Sequence, residues 1–190
     1  MVVAILTRAK LAACIDYGGP CGEYYTVPNG SLIIERGALI MFESETRRKL
    51  IEGVLSQISL PSGINIRSWA ESDFAAIQQL ACEQGWLTPL EQPRQVLTAW
   101  RQSWPTLIAV QGETVVGFLR GLTDGVMTTC VTEILVVPEW RDKGVGKALV
   151  ETCHRLFPST RFELLTEEIG DALNGLEGFL RFEGLRKTYR

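Results

Sequence analysis

A mixed α/β fold, with an antiparallel strand meander followed by a β-α-β unit and a terminal α-β pair, is predicted by three features of this 190-residue chain. Apolar, β-branched runs separated by glycine turns fill Thr106 to Val137. Runs with helical periodicity flank them, at Glu71 to Ser103 and at Gly144 to Phe157. A charged loop bearing two glycines, Gly144 and Gly146, joins the longest strand to the helix that follows it.

The turn cluster Leu60-Pro61-Ser62-Gly63 marks the expected domain boundary, leaving 1–61 as an N-terminal extension and 62–190 as the patterned domain. Within the extension, Ser31 to Met41 alternates weakly, as a strand would. Ser44 to Ile58 places Leu50, Ile51, Val54, Leu55 and Ile58 on one helical face. Leu11-Ala12-Ala13-Cys14 resembles a lipoprotein cleavage box, but Val2 to Leu6 is too short an apolar core for a secretory signal and Arg8 and Lys10 follow it. Met41 is a second plausible start.

Beyond the boundary, Ile64 to Ser68 reads as a strand and Glu71 to Cys82 as a helix with Phe74, Ile77, Leu80 and Ala81 on one face. Gln92 to Ser103 is a second helix, with Pro93 at its start, where a missing amide donor costs little, and Pro105 closing it. Thr106 to Val110 and Thr114 to Gly121 form a hairpin around Gln111-Gly112-Glu113, and a turn at Thr123-Asp124-Gly125 leads into Val126 to Val137. Gly144 to Phe157 is a helix stopped by Pro158. Phe162 to Thr166 is a short strand, Leu173 to Phe182 a helix weakened by glycine, and Leu185 to Tyr189 a final strand.

Composition narrows the functions. A hydrophobic content of 46% with 22% charge suits a globular protein with a real core. A net charge of −3 supplies no broad positive field, so neither nucleic acid nor an anionic membrane is an expected partner. The cysteines, Cys14, Cys21, Cys82, Cys130 and Cys153, are scattered and odd in number, without metal-ligand spacing; they suggest a reducing, cytoplasmic setting and no metal site. His154 is the single histidine.

The chemistry concentrates in Val136-Val137-Pro138-Glu139-Trp140-Arg141-Asp142-Lys143-Gly144-Val145-Gly146-Lys147. The first amides of a helix lack intrahelical acceptors and carry the positive end of its dipole, so a strand-loop-helix junction is suited to anions. Gly144 and Gly146 clear side chains from the backbone, and Lys143 and Lys147 bring positive charge. A P-loop would need glycine where Arg141 stands and a hydroxyl residue where Ala148 stands; a dinucleotide fingerprint would need a strand from a βαβ unit rather than a meander. The competing structural reading is a tight turn with Asp142 capping the helix.

Arg141-x-x-Gly144-x-Gly146 after Val136-x-Pro138 resembles the acetyl-CoA loop of the GNAT N-acetyltransferases, and the likeness in element order extends over Ile64 to Arg190, about two thirds of the chain. The resemblance implies a GNAT-type fold with acetyl-CoA as co-substrate and a small-molecule or peptide amine as acceptor. It puts Asp142, Lys143, Gly144, Val145, Gly146 and Lys147 on the cofactor's pyrophosphate and Leu135 and Val136 beside the thioester, with Arg141 also among the cofactor-binding residues. A homodimer stays open.

An alkylamine with a pKa of about 10 is mostly protonated at neutral pH, so attack needs a route for its proton. Glu133, on the long strand before the acetyl site, is the candidate base; a cross-strand salt bridge is the equal alternative. Family members commonly carry Phe-Tyr-x-x-x-Gly-Phe near the end, whereas this chain has Phe179-Leu180-Arg181-Phe182-Glu183-Gly184-Leu185, so Leu180 replaces the tyrosine acid. A thiol with a pKa of about 8.5 is a tolerable leaving group without one, with water or Tyr189 finishing the proton transfer. The rival is a module that binds acyl-CoA without turnover. Cys130 and Cys153 read as small buried hydrophobes, His154 as exposed, and Trp86, Trp100 and Trp104 as either core or cleft residues.

Overall fold

The computed structural model describes residues 24–26, 33–86, 88–164 and 179. Contacts divide the chain into two compact units, Met1–Lys49 and Leu50–Arg190. In the first, β1 (Tyr24–Thr26) pairs antiparallel with β2 (Ile33–Glu35), and helix α1 (Arg36–Leu55) begins directly after β2 and runs into the second unit. Of the strand expected over Ser31 to Met41, Ile33–Glu35 is β2, and from Arg36 the chain is helical instead. Of the expected apolar face, Ile51 and Ile58 are buried while Leu50 is exposed.

The second unit is a three-layer sandwich around a mixed sheet of order β3-β4-β5-β6-β7. Its strands are β3 (Ile64–Ser68), β4 (Thr106–Gln111), β5 (Thr114–Thr123), β6 (Thr128–Val136) and β7 (Arg161–Leu164). The first four are antiparallel and β7 joins β6 in parallel, as a helical crossover requires. On one face lies α5 (Val145–Leu156), packing Val145, Ala148, Leu149 and Cys153 onto Ile66, Leu107, Leu119 and Val131. On the other, α2 (Phe74–Glu83) and α4 (Pro93–Gln102) contribute Ile77, Ala81 and Trp100 against Ile108, Phe118 and Leu135. A short helix, α3 (Thr88–Glu91), precedes α4; no periodicity can announce a single turn.

The expected meander, both hairpins and the crossover helix are all present, and Pro93 opens α4 as predicted. Apart from Phe179, the expected elements at Leu173 to Phe182 and Leu185 to Tyr189 lie outside the described residues, as do Leu180 and Tyr189. Among the described residues no helix is long and apolar enough to cross a membrane.

Two local features set the geometry of the site. Gly117 faces the Leu135 carbonyl so closely that a Cβ would lie 2.8 Å from its oxygen, which makes glycine obligatory where β5 crosses β6. A bulge leaves Thr132 unpaired, since Arg120 pairs with Glu133 and Gly121 with Val131.

The placement of α2 depends on a polar clamp at its start. Arg67, on β3, donates to both oxygens of Asp73 at 2.8 and 2.9 Å, and the Ala70 amide donates to Asp73 Oδ2 at 2.7 Å. Burial alone pushes the Asp73 carboxyl upward, but the Arg67 and Ala70 hydrogen bonds and the Arg67 charge together hold it below the usual carboxylate range. A depressed folded-state pKa gives stability that is complete above the unfolded value of about 3.9 and lost as pH falls through the folded one. Asp73→Asn is therefore expected to cost about 1–3 kcal/mol at neutral pH, read by urea denaturation, with the gap to wild type closing in acid. A gap of equal size in acid would remove the clamp from the account.

Candidate functional site

The loop after β6 has an unusual backbone. Pro138–Trp140 forms a single 3₁₀ turn, Asp142 holds φ +57° and Gly144 φ +84°. For Gly144 that conformation is free, whereas for Asp142 it costs on the order of 1–2 kcal/mol, the kind of local strain that collects at binding sites. Gly144 is the N-cap of α5 and no side chain caps the helix; the competing reading, in which Asp142 would do so, is overturned. The first intrahelical bond runs from the Ala148 amide to Gly144 O at 2.9 Å. The amides of Val145, Gly146 and Lys147 therefore start the helix without intrahelical acceptors.

Gly146 needs neither a special φ nor space for packing: a Cβ there would meet only Val136 Cγ2, at 3.7 Å. Lys147, Arg141, Asp142 and Lys143 are exposed, and Lys143 Nζ sits 5.2 Å from the centre of the Trp140 ring.

Strand register decides which groups of β6 face this loop. The Val137 amide donates to Val116 O on β5 at 3.0 Å. By antiparallel alternation the main-chain groups of Leu135 and Glu133 also point to β5, and those of Ile134 and Val136 point to the opposite edge. Along that edge β7 pairs with β6 only from Thr128 to Val131, among the described residues. Ile134 and Val136 thus present amides and carbonyls on an edge that has no strand partner among the described residues, while the Leu135 side chain is buried under α2 and α4. Ile134 went unnoticed in the sequence because the face of a strand's hydrogen bonds depends on its partner.

Arg141 turns its guanidinium onto this edge: Nε donates to Val136 O at 3.0 Å and Nη2 to Gln84 Oε1. Gln84, at the C-cap of α2, is another residue that sequence reasoning missed.

Glu133 lies on the face covered by α4, half-buried. Arg120 Nη2 donates to its Oε1 at 2.5 Å, and Arg120 Nη1 donates to Ser103 Oγ at 3.0 Å; the Arg120 side chain is only 14% exposed. Ser103 Oγ donates in turn to Ala99 O at 2.7 Å, which ties the end of α4 to this pair. Neither Arg120 nor Ser103 could be assigned from spacing, since the Thr132 bulge shifts the register that joins them.

Neither Cys130 nor Cys153 is set up as a thiolate nucleophile. Burial pushes the Cys153 thiol far above its usual range, and burial with the Glu163 charge raises Cys130. His154 is exposed as expected. Trp100 is core, with its ring centre 5.3 Å from Trp69 and 5.5 Å from Phe118, while Trp86 stays 38% exposed. Among the described residues no group of three or more His, Cys, Asp or Glu could hold a metal ion.

Among the described residues the mixed sheet leaves the β6 edge beyond Val131 without a strand partner, beside a helix start with no side-chain cap. The sequence profile of the acetyltransferase (GNAT) family matches residues 67–174, more than half of the chain, and the chain belongs to that family. Among solved structures it is similar to the GNAT family protein SP0256 from Streptococcus pneumoniae TIGR4, at 21% identity and TM-score 0.55, covering 67% of this chain and 97% of that one. A GNAT family protein from Xanthomonas campestris pv. campestris aligns at 20% identity and TM-score 0.54 over 70% of this chain and 96% of that one. AAC(6')-Iy, solved with the bisubstrate analog CoA-S-monomethyl-acetylneamine, aligns at 18% identity and TM-score 0.50 over 68% and 99%. A comparison with curated protein sequences finds no match.

Proposed function

We propose that the protein is an acetyl-CoA-dependent N-acetyltransferase, moving an acetyl group to a primary amine by direct attack in a ternary complex. One observation carries this reading. The free amides of Val145, Gly146 and Lys147 and the outward edge of Ile134 and Val136 belong to one strand-loop-helix segment, offering an anion site and a hydrogen-bonding edge side by side. The residues fit the co-substrate: Gly146 leaves the helix start open, and Arg141, Lys143 and Lys147 supply positive charge around it.

When bound, acetyl-CoA supplies the activated acetyl group. The α5 amides and the loop cations would hold its pyrophosphate. An outward amide of β6, from Ile134 or Val136, would donate to the acetyl carbonyl and stabilise the negative charge that develops there. Glu133 would take the amine's proton directly or through water. Aminoglycoside acetyltransferases among similar folds make a small amine the first acceptor class to test, beside peptide amines.

The ion pair between Arg120 and Glu133 favours a second reading, in which acetyl-CoA is bound without turnover because the carboxylate is engaged. Calorimetry with acetyl-CoA should show binding in the micromolar to low millimolar range, and thiol release over a panel of amines should then separate enzyme from binding module. No heat at millimolar ligand would overturn both.

A further inference from the structure

At the end of the sheet where β5 turns into β6, away from the cofactor loop, lies an open cavity of about 370 Å³. Its floor is Leu122 and Cys130, which pair across β5 and β6, with Asp124 and Thr128 beyond them; Gln102, at the end of α4, and Trp104, whose ring packs on Phe157 at the end of α5, close it. Arg120 and Glu133 form the next cross-strand pair on the same face as Leu122 and Cys130 once the Thr132 bulge is counted, so Glu133 stands one cross-strand pair along the sheet from the floor of the cavity.

The lining itself carries one charge. Among the described residues that line it, Asp124 alone is charged. Asp124 Oδ1 accepts from the amides of Val126, Met127 and Thr128 at 2.9, 2.8 and 3.0 Å. Those bonds fix the carboxylate and hold its pKa below the usual range, so it stays anionic. Arg161 reaches the rim, with Nη2 3.4 Å from the lining Thr128 Oγ1, but is paired with Glu163, and Arg120 is paired with Glu133. Trp104, Leu122 and Cys130 give the middle of the cavity an apolar lining.

We infer that this cavity holds the acetyl acceptor, and that the acceptor class is an elongated amine with an apolar middle and a second cationic group, which Asp124 receives while the reacting nitrogen lies at Glu133. From Glu133 to Thr128 the strand covers on the order of 15 Å, so the two nitrogens should stand about 10–15 Å apart once side-chain reach is allowed for. The inference rests on the N-acetyltransferase reading for its reacting end, but the binding it predicts does not need turnover.

The test compares α,ω-diaminoalkanes of increasing length with monoalkylamines of the same length, as kcat/KM for thiol release from acetyl-CoA. The expected result is a diamine preference of about three- to tenfold, peaking at the separation above and shrinking towards one in Asp124→Asn. Asparagine keeps Oδ1 as an acceptor for the three turn amides, and the length profile of the wild-type chain needs no variant at all. Equal rates for both series at every length, or a preference that Asp124→Asn leaves intact, overturns the inference. Should no amine be acetylated, the activity reading falls. Calorimetry of the same diamines on the CoA-saturated protein still decides the acceptor class, by whether long diamines bind more tightly than monoamines in an Asp124-dependent way.

Discussion

Gly146→Glu is expected to bind acetyl-CoA at least about 100-fold more weakly than the wild-type chain, while unfolding no more easily. The two effects have opposite signs for one reason. Position 146 is in the first turn of α5, where a Cβ would meet only Val136 Cγ2 at 3.7 Å and no side chain caps the helix. Replacing glycine by glutamate there improves helix propensity by about 0.5 kcal/mol, and a carboxylate near the positive end of the dipole adds about 0.3–1 kcal/mol. The field that welcomes the carboxylate is the one a pyrophosphate would use, so the new charge competes for the amides and repels the ligand. Gly146→Ala, which adds bulk but no charge, should fall between the two in affinity and also gain slightly in stability. If the loop glycines serve only a tight turn, Gly146→Glu will leave affinity as it was. Calorimetry and thermal unfolding on the same samples decide, and unchanged affinity in the glutamate variant sinks the assignment of this helix start.

The loop was legible because its signal is local. Arg141, Gly144 and Gly146 act through the backbone of consecutive residues, and a strand, a charged turn and a helix can be read without knowing what packs against them. For the same reason the hairpin around Gly112 and the helix from Pro93 were predicted close to their observed limits. What stayed hidden depends on pairing. That Ile134 and Val136, rather than Leu135, face the open edge follows from the register of β6 on β5, and a one-residue slip would reverse it. Arg120 meets Glu133 only because Thr132 is bulged out, and nothing in a β-branched run marks which residue is extra. Gln84 lies far from Arg141 in sequence, and only folding brings the C-cap of α2 to the loop. At the N-terminal side, the apolar residues between Ser31 and Met41 suit either period, and the change to helix at Arg36 has no capping residue to announce it.

The partner of Glu133 sets the terms of the second large effect. Arg120 is almost enclosed and is held by Glu133 Oε1 and Ser103 Oγ, so Glu133 has a structural role whether or not it moves a proton. Glu133→Gln keeps an oxygen for Arg120 and removes both the charge and the basicity. If Glu133 is the general base, kcat/KM for amine acetylation at neutral pH should fall by about 10²-fold or more, at the low end of what a positioned base supplies. That deficit should then close as pH approaches the amine's own pKa of about 10, where the free amine no longer needs a base. If the carboxylate only anchors Arg120, the loss follows from a disturbed site, and it should be of similar size at every pH and accompanied by lower stability. Some destabilisation is expected in either case, on the order of 1–3 kcal/mol, because the guanidinium loses its counter-charge while keeping a hydrogen bond. Stability alone therefore cannot discriminate, whereas the slope of the rate ratio against pH can. Ser103→Ala completes the test, since it removes the Arg120 hydrogen bond and leaves Glu133 intact. A pH-dependent deficit in Glu133→Gln that is absent in Ser103→Ala assigns the proton to Glu133, and parallel profiles in the two variants leave the ion pair as scaffolding.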